Sequence, residues 1–371
     1  LASILKRARK FMSSKIKVMF KKLILTLSLS AITFGLATAQ HEGLVKDTTH
    51  SEVTHHEDYV EKHEDDAEVE FDMGGMIMHH ILDEHGWEFA HGFKLPLPII
   101  VYSKSEGLEV FSSAKFDDNN GVFGPYEIHH EKIALSADHH EVVWDFSITK
   151  NVASLFLSAI ILIVVFLAVG RGYSKNRGKA PSGIQSFLEP VILTIKDEVV
   201  KPSIGPKYEV YLPYMLTLFF FILVNNLIGL TPGAANLTGN IAVTLTLALI
   251  TFVIVHVKAN KNYWMHLVAP PGVPGWLKPL FWLIEVIGVI MKPASLTIRL
   301  FANITGGHII LLSFIGLIFL FKSLTLGFAA IIPIGIFMSL IEILVAFIQA
   351  YIFTLLSSMY IGTAIEEHHD H

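Results

Sequence analysis

Apolar and polar residues are sorted along this chain into long blocks instead of alternating at the short periods of a soluble fold. Asn151 to Gly170 runs without one formal charge, about the 20 residues a helix needs to cross the hydrocarbon of a bilayer. It predicts a first span over 150–170. Residues 210–255 contain no Asp, Glu, Lys or Arg. The break from Thr231-Pro232-Gly233 to Thr238-Gly239 divides that run into spans at 210–230 and 240–257. Two longer apolar stretches follow, 279–321 and 324–365, with a turn at Lys322-Ser323 between them. A helix of more than 40 residues reaches roughly 60 Å, about twice the hydrocarbon thickness. These two are therefore expected to form a hairpin that tilts steeply or bends, packed against a large curved neighbour in the membrane.

The composition agrees with that pattern: 52% of residues are hydrophobic, 16% are charged, and the mean hydropathy is +0.53. The class expected is an all-α polytopic membrane protein with about five spans and a membrane domain over 146–371. Cysteine is absent, which excludes disulfides, thiolate nucleophiles and cysteine-ligated metals. No cofactor and no metal centre is implied.

Charge then orients the blocks. Residues 1–22 carry eight Lys and Arg and no acid, and lead into the apolar run Leu23–Leu36, closed by Ala37-Thr38-Ala39. This order reads as a secretory signal peptide over 1–39, cleaved after Ala39. Residues 1–18 look like an extension upstream of a start at Met19. Residues 40–145 hold 24 of the 33 acids against six Lys, and 13 of the 19 histidines. This acidic, histidine-rich region is expected outside the cytoplasm, in the periplasm, with 40–70 too charged and too poor in apolar groups to fold. The run Leu95-Pro96-Leu97-Pro98-Ile99-Ile100-Val101-Tyr102, and the turn at Asp117-Asp118-Asn119-Asn120-Gly121, predict a few strands or a small cap within 71–145.

The loop after the first span is basic, with Arg171, Lys175, Arg177, Lys179, Lys196, Lys201 and Lys207, which assigns it to the cytoplasm. Within it Ile184–Val200 mixes apolar and charged positions like an amphipathic helix lying on the bilayer. Lys258, Lys261 and Lys278 return positive charge to the same side. The C-terminal tail is then cytoplasmic, and the chain is expected to be multi-pass in the inner membrane of a bacterium.

A charge at the centre of a bilayer costs about 2.5–3.5 kcal/mol even on lenient scales, so each one in the last two spans needs a reason. Arg299 lies mid-span, and a guanidinium cannot discard its proton. Glu285, Lys292 and Arg299 recur every seven residues, one helical stripe, with Asn303 one turn beyond. His308, nine residues on, falls almost opposite. On the following helix Glu342 and Gln349 are also seven apart. His308 and Glu342 are side-chain types that exchange protons at accessible pH, near about 6.5 and 4.3 in water. They suit a proton relay, whereas packing or a buried ion pair of Arg299 with Glu342 remains the alternative.

The segment Ser295-Leu296-Thr297-Ile298-Arg299-Leu300-Phe301-Ala302-Asn303-Ile304-Thr305-Gly306-Gly307-His308, followed by Glu342 and Gln349-Ala350-Tyr351, resembles subunit a of the F-type ATP synthases. So do Leu223-Val224-Asn225-Asn226-Leu227-Ile228-Gly229-Leu230-Thr231-Pro232 and Val243-Thr244-Leu245-Thr246-Leu247-Ala248. The resemblance covers roughly 146–365. It implies a stator with two half-channels that serve a rotating c-subunit ring, next to the b-subunit peripheral stalk and the other synthase subunits. Arg299 would be the essential arginine between the half-channels. His308 and Glu342 would form the polar pair of the access path with Asn226, while Gln349 and Asn303 would flank Arg299. Ser295 would line the exit side, although a small packing residue suits that position as well. The order of His308 and Glu342 resembles mitochondrial members and is the reverse of many bacterial ones. Which of the two meets the proton first is open.

Two other classes compete. The pairs His55-His56, His79-His80, His129-His130 and His139-His140 could serve a metal-handling membrane protein, but adjacent histidines give no fixed ligand frame. A secondary transporter would show inverted repeats and broken helices around a midplane site, and neither is evident. No GxxxxGK[ST] phosphate loop, nucleophile triad or basic aromatic patch for nucleic acid occurs. ATP chemistry, on this reading, belongs to other subunits.

Overall fold

The computed structural model describes residues 74, 83–90, 93–117, 121–129, 132–136, 141–175, 183–231, 235–268, 274–321 and 331–366. The leader expected at 1–39 and the unfolded segment expected at 40–70 lie outside these residues. So do His55, His56, His79, His80, His130, His139, His140 and the turn at Lys322-Ser323.

The described residues before the first span form eight short strands: β1 Gly86–Ala90, β2 Phe93–Pro96, β3 Pro98–Ser103, β4 Gly107–Ser112, β5 Val122–Phe123, β6 Tyr126–His129, β7 Lys132–Leu135 and β8 Trp144–Asp145. They pair antiparallel as β1-β2, β4-β3-β8 and β5-β6-β7. The apolar run at Leu95–Tyr102 thus supplies β2 and β3. The expected turn at Asp117–Gly121 begins as one helical turn, Ala114–Asp117, and ends at Gly121, whose φ of 85° suits glycine. Ile99, Val101 and Phe111 from one sheet meet Tyr126, Ile133 and Leu135 from another in a small core. Phe111 packs on Phe116, Phe123 and Tyr126 at ring separations of 4.9–6.0 Å.

This β region is locked onto the first membrane helix, α1 (Lys150–Lys175). The Lys150 amide donates to the Glu84 carbonyl at 2.9 Å, and the Asn151 amide donates to Asp83 Oδ1 at 3.1 Å. Asp83 therefore supplies an acceptor to a helix N-terminus whose first amides have none. Lys150 Nζ lies 3.6 Å from Glu84 Oε1, with both side chains buried. Above this joint His85 Nε2 donates to Asp145 Oδ2 at 2.8 Å, and the Ser147 amide donates to Asp145 Oδ1 at 2.8 Å. Burial opposes ionisation of Asp145, but the His85 and Ser147 contacts outweigh it and hold its carboxyl below the ordinary range. Asp83 shows the reverse, since burial raises its carboxyl despite the Asn151 bond.

A depressed carboxyl stabilises the fold above its unfolded pKa, and that stabilisation is lost as pH falls through the folded value. Asp145→Ala is accordingly expected to speed hydrogen exchange of the Ser147 amide at neutral pH relative to the parent chain. The difference should narrow only as pH falls below the unfolded aspartate value of about 3.9 and through the lower folded one. A gap that persists unchanged in acid would contradict the role of this contact.

The membrane region is helical. After α1 come α2 (Ile184–Thr194), α3 (Tyr208–Gly229), α4 (Ile241–Lys258), the short α5 (Lys261–Val268), α6 (Lys278–Phe321) and α7 (Ile332–Ile365). Five helices among the described residues are long and apolar enough to cross a membrane, the second of them taken with the segment that leads into it from Ile184. The first three expected spans fall on α1, α3 and α4. The described part of the last helix begins at Ile332, eight residues later than the expected start, and 322–330 lie outside the described residues.

One expectation is corrected. Ile184–Val200 is not a surface helix throughout. The α-helix gives way to a wider π turn at Ile195–Val200, and Ile195, Val199 and Val200 enter the main core beside Met215, Phe219 and Ile222. Only Phe187 and its neighbours Ile184 and Leu193 keep apolar side chains outside. The periodicity saw an apolar face and assigned it to lipid, whereas the protein buries its second half.

Helix α6 contains 44 residues, about 66 Å at 1.5 Å per residue. Pro293 interrupts its hydrogen-bond ladder. One turn later the Thr297 hydroxyl donates back to the Pro293 carbonyl at 2.9 Å, a bond that favours bending.

Candidate functional site

Helices α3, α6 and α7 converge on one buried polar seam. The Asn226 side chain, fully buried on α3, donates from Nδ2 to the Ala346 carbonyl of α7 at 3.1 Å, across 120 residues of sequence. Ala346 is one turn beyond Glu342, so this bond fixes the height of Glu342 relative to α3. Glu342 is 7% exposed, and neither carboxylate oxygen has a hydrogen-bond partner among the described residues. Its carboxylate fills the space left by Gly307: a Cβ built there would stand 2.6 Å from Glu342 Oε1 and 3.3 Å from its Cδ. A side chain at this position would require the Glu342 carboxylate to move aside.

His308 follows Gly307 directly and is 6% exposed. Its ring lies over the C-terminal end of α3, with Nε2 3.8 Å from the Cβ position of Gly229. Asn236 Oδ1 approaches the same glycine at 3.7 Å. His308 and Glu342 are therefore neighbours around Gly307, in contact with different helices and not hydrogen-bonded to one another. The Thr305 hydroxyl donates to the Gly239 carbonyl at 3.3 Å and ties this part of α6 to the turn before α4.

Arg299 is placed apart from that seam. It stands 21 residues after the start of α6 and 22 before its end, about 32 Å from either terminus. Its side chain is partly exposed, and Nη2 donates to Ser295 Oγ at 3.3 Å. Among the described residues it makes no ion pair, so the alternative of an Arg299–Glu342 salt bridge is not what the structure contains. Asn303 is exposed on the same side. One heptad earlier, Lys292 places Nζ 5.3 Å from the Tyr360 ring centroid of α7. Gln349 is buried on α7, one heptad from Glu342.

The stripe arithmetic anticipated the opposition of Arg299 and His308 on α6. It did not anticipate Gly307 as the receptacle for Glu342 or the backbone of Ala346 as the partner of Asn226.

Among the described residues, five apolar helices with a titratable seam through three of them, and a permanent guanidinium cation at the middle of the longest, define a multi-span helical membrane protein equipped for ion passage. The family model described as ATP synthase A chain matches residues 152–362, and a domain of unknown function matches 76–153. The chain is 40% identical over 310 residues to the ATP synthase subunit a of Chlorobium phaeobacteroides, covering 80% of this chain and 78% of that one. It is 40% identical over 312 residues to ATP synthase subunit a 2 of Chlorobaculum tepidum, with 82% and 77% covered. With the ATP synthase subunit a of an Anaeromyxobacter species it shares 34% over 316 residues, 81% and 72% of the two chains. The chain belongs to the ATP synthase A chain family.

Proposed function

We propose that Arg299, His308, Glu342 and Asn226 carry the proton traffic of this chain, which as a family member is the proton-translocating stator subunit of the F-type ATP synthase. The observation that carries the assignment is the separation within α6: a titratable pair buried against α3 and α7, and a fixed cation on the half-exposed side. Protons reach the rotor through the first and are kept from crossing directly by the second.

Glu342 packs against Gly307 and His308 follows it directly on α6, which puts two side-chain types that exchange protons near neutral pH on the same stretch of the seam. Asn226 holds the wall opposite, its Nδ2 committed to Ala346 and its Oδ1 buried and available. On the other face of α6, Ile298, Ala302 and Asn303 are exposed around Arg299. This is the surface offered to the c-subunit ring, whose carboxylate would approach the guanidinium. Gln349 and Ser295 support the arginine. The b-subunit stalk and remaining synthase subunits complete the complex, in the inner membrane with the β region periplasmic and the C-terminus cytoplasmic.

Glu342→Gln and His308→Ala are each expected to slow ATP-driven proton pumping in membrane vesicles. The effect should be on the order of a hundredfold, the scale of a positioned proton-transfer group. The double exchange of His308 to Glu and Glu342 to His should restore part of the rate, since it keeps one carboxyl and one imidazole in the path. Parent rates in both single variants would remove them from the path.

A further inference from the structure

The sheet β4-β3-β8 carries large apolar side chains on both faces, and its acids Glu109 and Asp145 pair with Val101 on the inner one. Its inner face supplies Ile99, Val101 and Phe111 to the small core. The register sets Tyr102 between Leu108 and Trp144, and Ile100 beside Val110, all on the opposite face. Phe146 extends that face, because its amide donates to the Ile100 carbonyl at 2.8 Å. Leu108, Val110 and Phe146 are 65%, 64% and 57% exposed. None of the six is charged. An antiparallel sheet with one solvated face ordinarily alternates apolar and polar residues along each strand, and β3 does not. An uncovered patch of this kind marks a site of association.

We infer that this outer face lies on the surface of the bilayer, in the leaflet from which α1 departs. Three observations choose lipid over a protein occupant. The strand that carries Trp144 is followed after only Phe146–Thr149 by the membrane helix at Lys150, so the apolar face lies a short connection away from the exposed apolar side chains of α1 at Phe156, Leu157 and Ile160. The Lys150–Glu84 and Asn151–Asp83 bonds fix the β region to the start of that helix, so the sheet cannot swing away from the membrane. Trp144 and Tyr102 face the same way at the centre of the patch, and these are the two residue types that settle at the headgroup level. The strands then run along the membrane plane, and the acidic remainder of the region faces water.

The inference rests on α1 being a span, and the test separates the two claims. Because the chain contains no cysteine, single cysteines can be spin-labelled in the assembled complex in proteoliposomes. The positions are Val110→Cys and Phe146→Cys on the patch, Lys115→Cys on exposed surface elsewhere, and Ile160→Cys on α1. Relaxation is measured with oxygen, which concentrates in lipid, and with a water-soluble nickel chelate. The expected result is an oxygen-to-nickel accessibility ratio at 110 and 146 severalfold above that at 115. High nickel accessibility at 110 and 146 would show a watered face and overturn the inference. Low accessibility to both probes would show a protein cover and overturn it equally. If 160 is also open to nickel, the span itself is refuted. The two patch positions lie on different strands, so a folding defect in one variant leaves the other to decide.

Discussion

Arg299→Ala is expected to abolish ATP-driven proton pumping in membrane vesicles while the complex still assembles. Assembly should survive because the guanidinium is partly exposed, bonded within its own helix to Ser295, and paired with no described acid. Its removal leaves no buried charge stranded. Pumping should fail for an electrostatic reason. A cation about 4 Å from a rotor carboxylate is worth about 4 kcal/mol at an effective dielectric of 20, or about three pKa units in favour of the ionised form. Without it an arriving carboxylate keeps its proton, and the barrier against direct passage between the half-channels falls. Lysine should fail as well, since its compact ammonium lacks the planar fork that holds Ser295 and a carboxylate together. Pumping at the parent rate in either variant would refute the assigned role.

Gly362→Val should have an effect of comparable size by another route, the loss of the folded chain from the membrane. Gly362 lies near the end of α7, and a Cβ there would collide with the carbonyl oxygen of Ser203 and stand 3.0 Å from its carbonyl carbon. Ile204 Cα lies 3.5 Å away. These are backbone atoms in the turn Lys201–Ile204 that joins the buried π segment to α3, so no change of rotamer relieves the clash. Overpacking costs about 1–3 kcal/mol when side chains can yield, and here the backbone must move. The amount of chain in the membrane should fall steeply, with Gly362→Ala less affected than valine. Parent levels of the valine variant would mean that α7 and the Ser203 turn are not in contact.

The membrane architecture was legible because charge is so costly in lipid that uncharged runs announce spans, and α1, α3 and α4 fall where those runs are. The opposition of Arg299 and His308 was legible for a similar reason, since helical periodicity is fixed by backbone geometry. The seam itself was not. Its defining contacts, Asn226 with Ala346 and Glu342 with Gly307, join residues far apart in sequence through a backbone carbonyl and a missing side chain, and neither has a local signature. The π turn at Ile195–Val200 also escaped, because an apolar face carries no label that separates lipid from core. Leu95–Tyr102 was read as strand material, but its two apolar faces, one inward and one outward, appeared only with the register of β3.

The central claim is that Arg299 faces the rotor from the exposed side of α6, away from the His308–Glu342 seam. Cross-linking tests it most directly. A cysteine at Ile298 or Asn303 should form a disulfide with a cysteine placed beside the carboxylate of a c subunit, and a cysteine at Ile304, buried on the opposite side, should not. Cross-linking from Ile304 in preference to Ile298 and Asn303 would contradict the account, because the arginine would then be turned away from the ring.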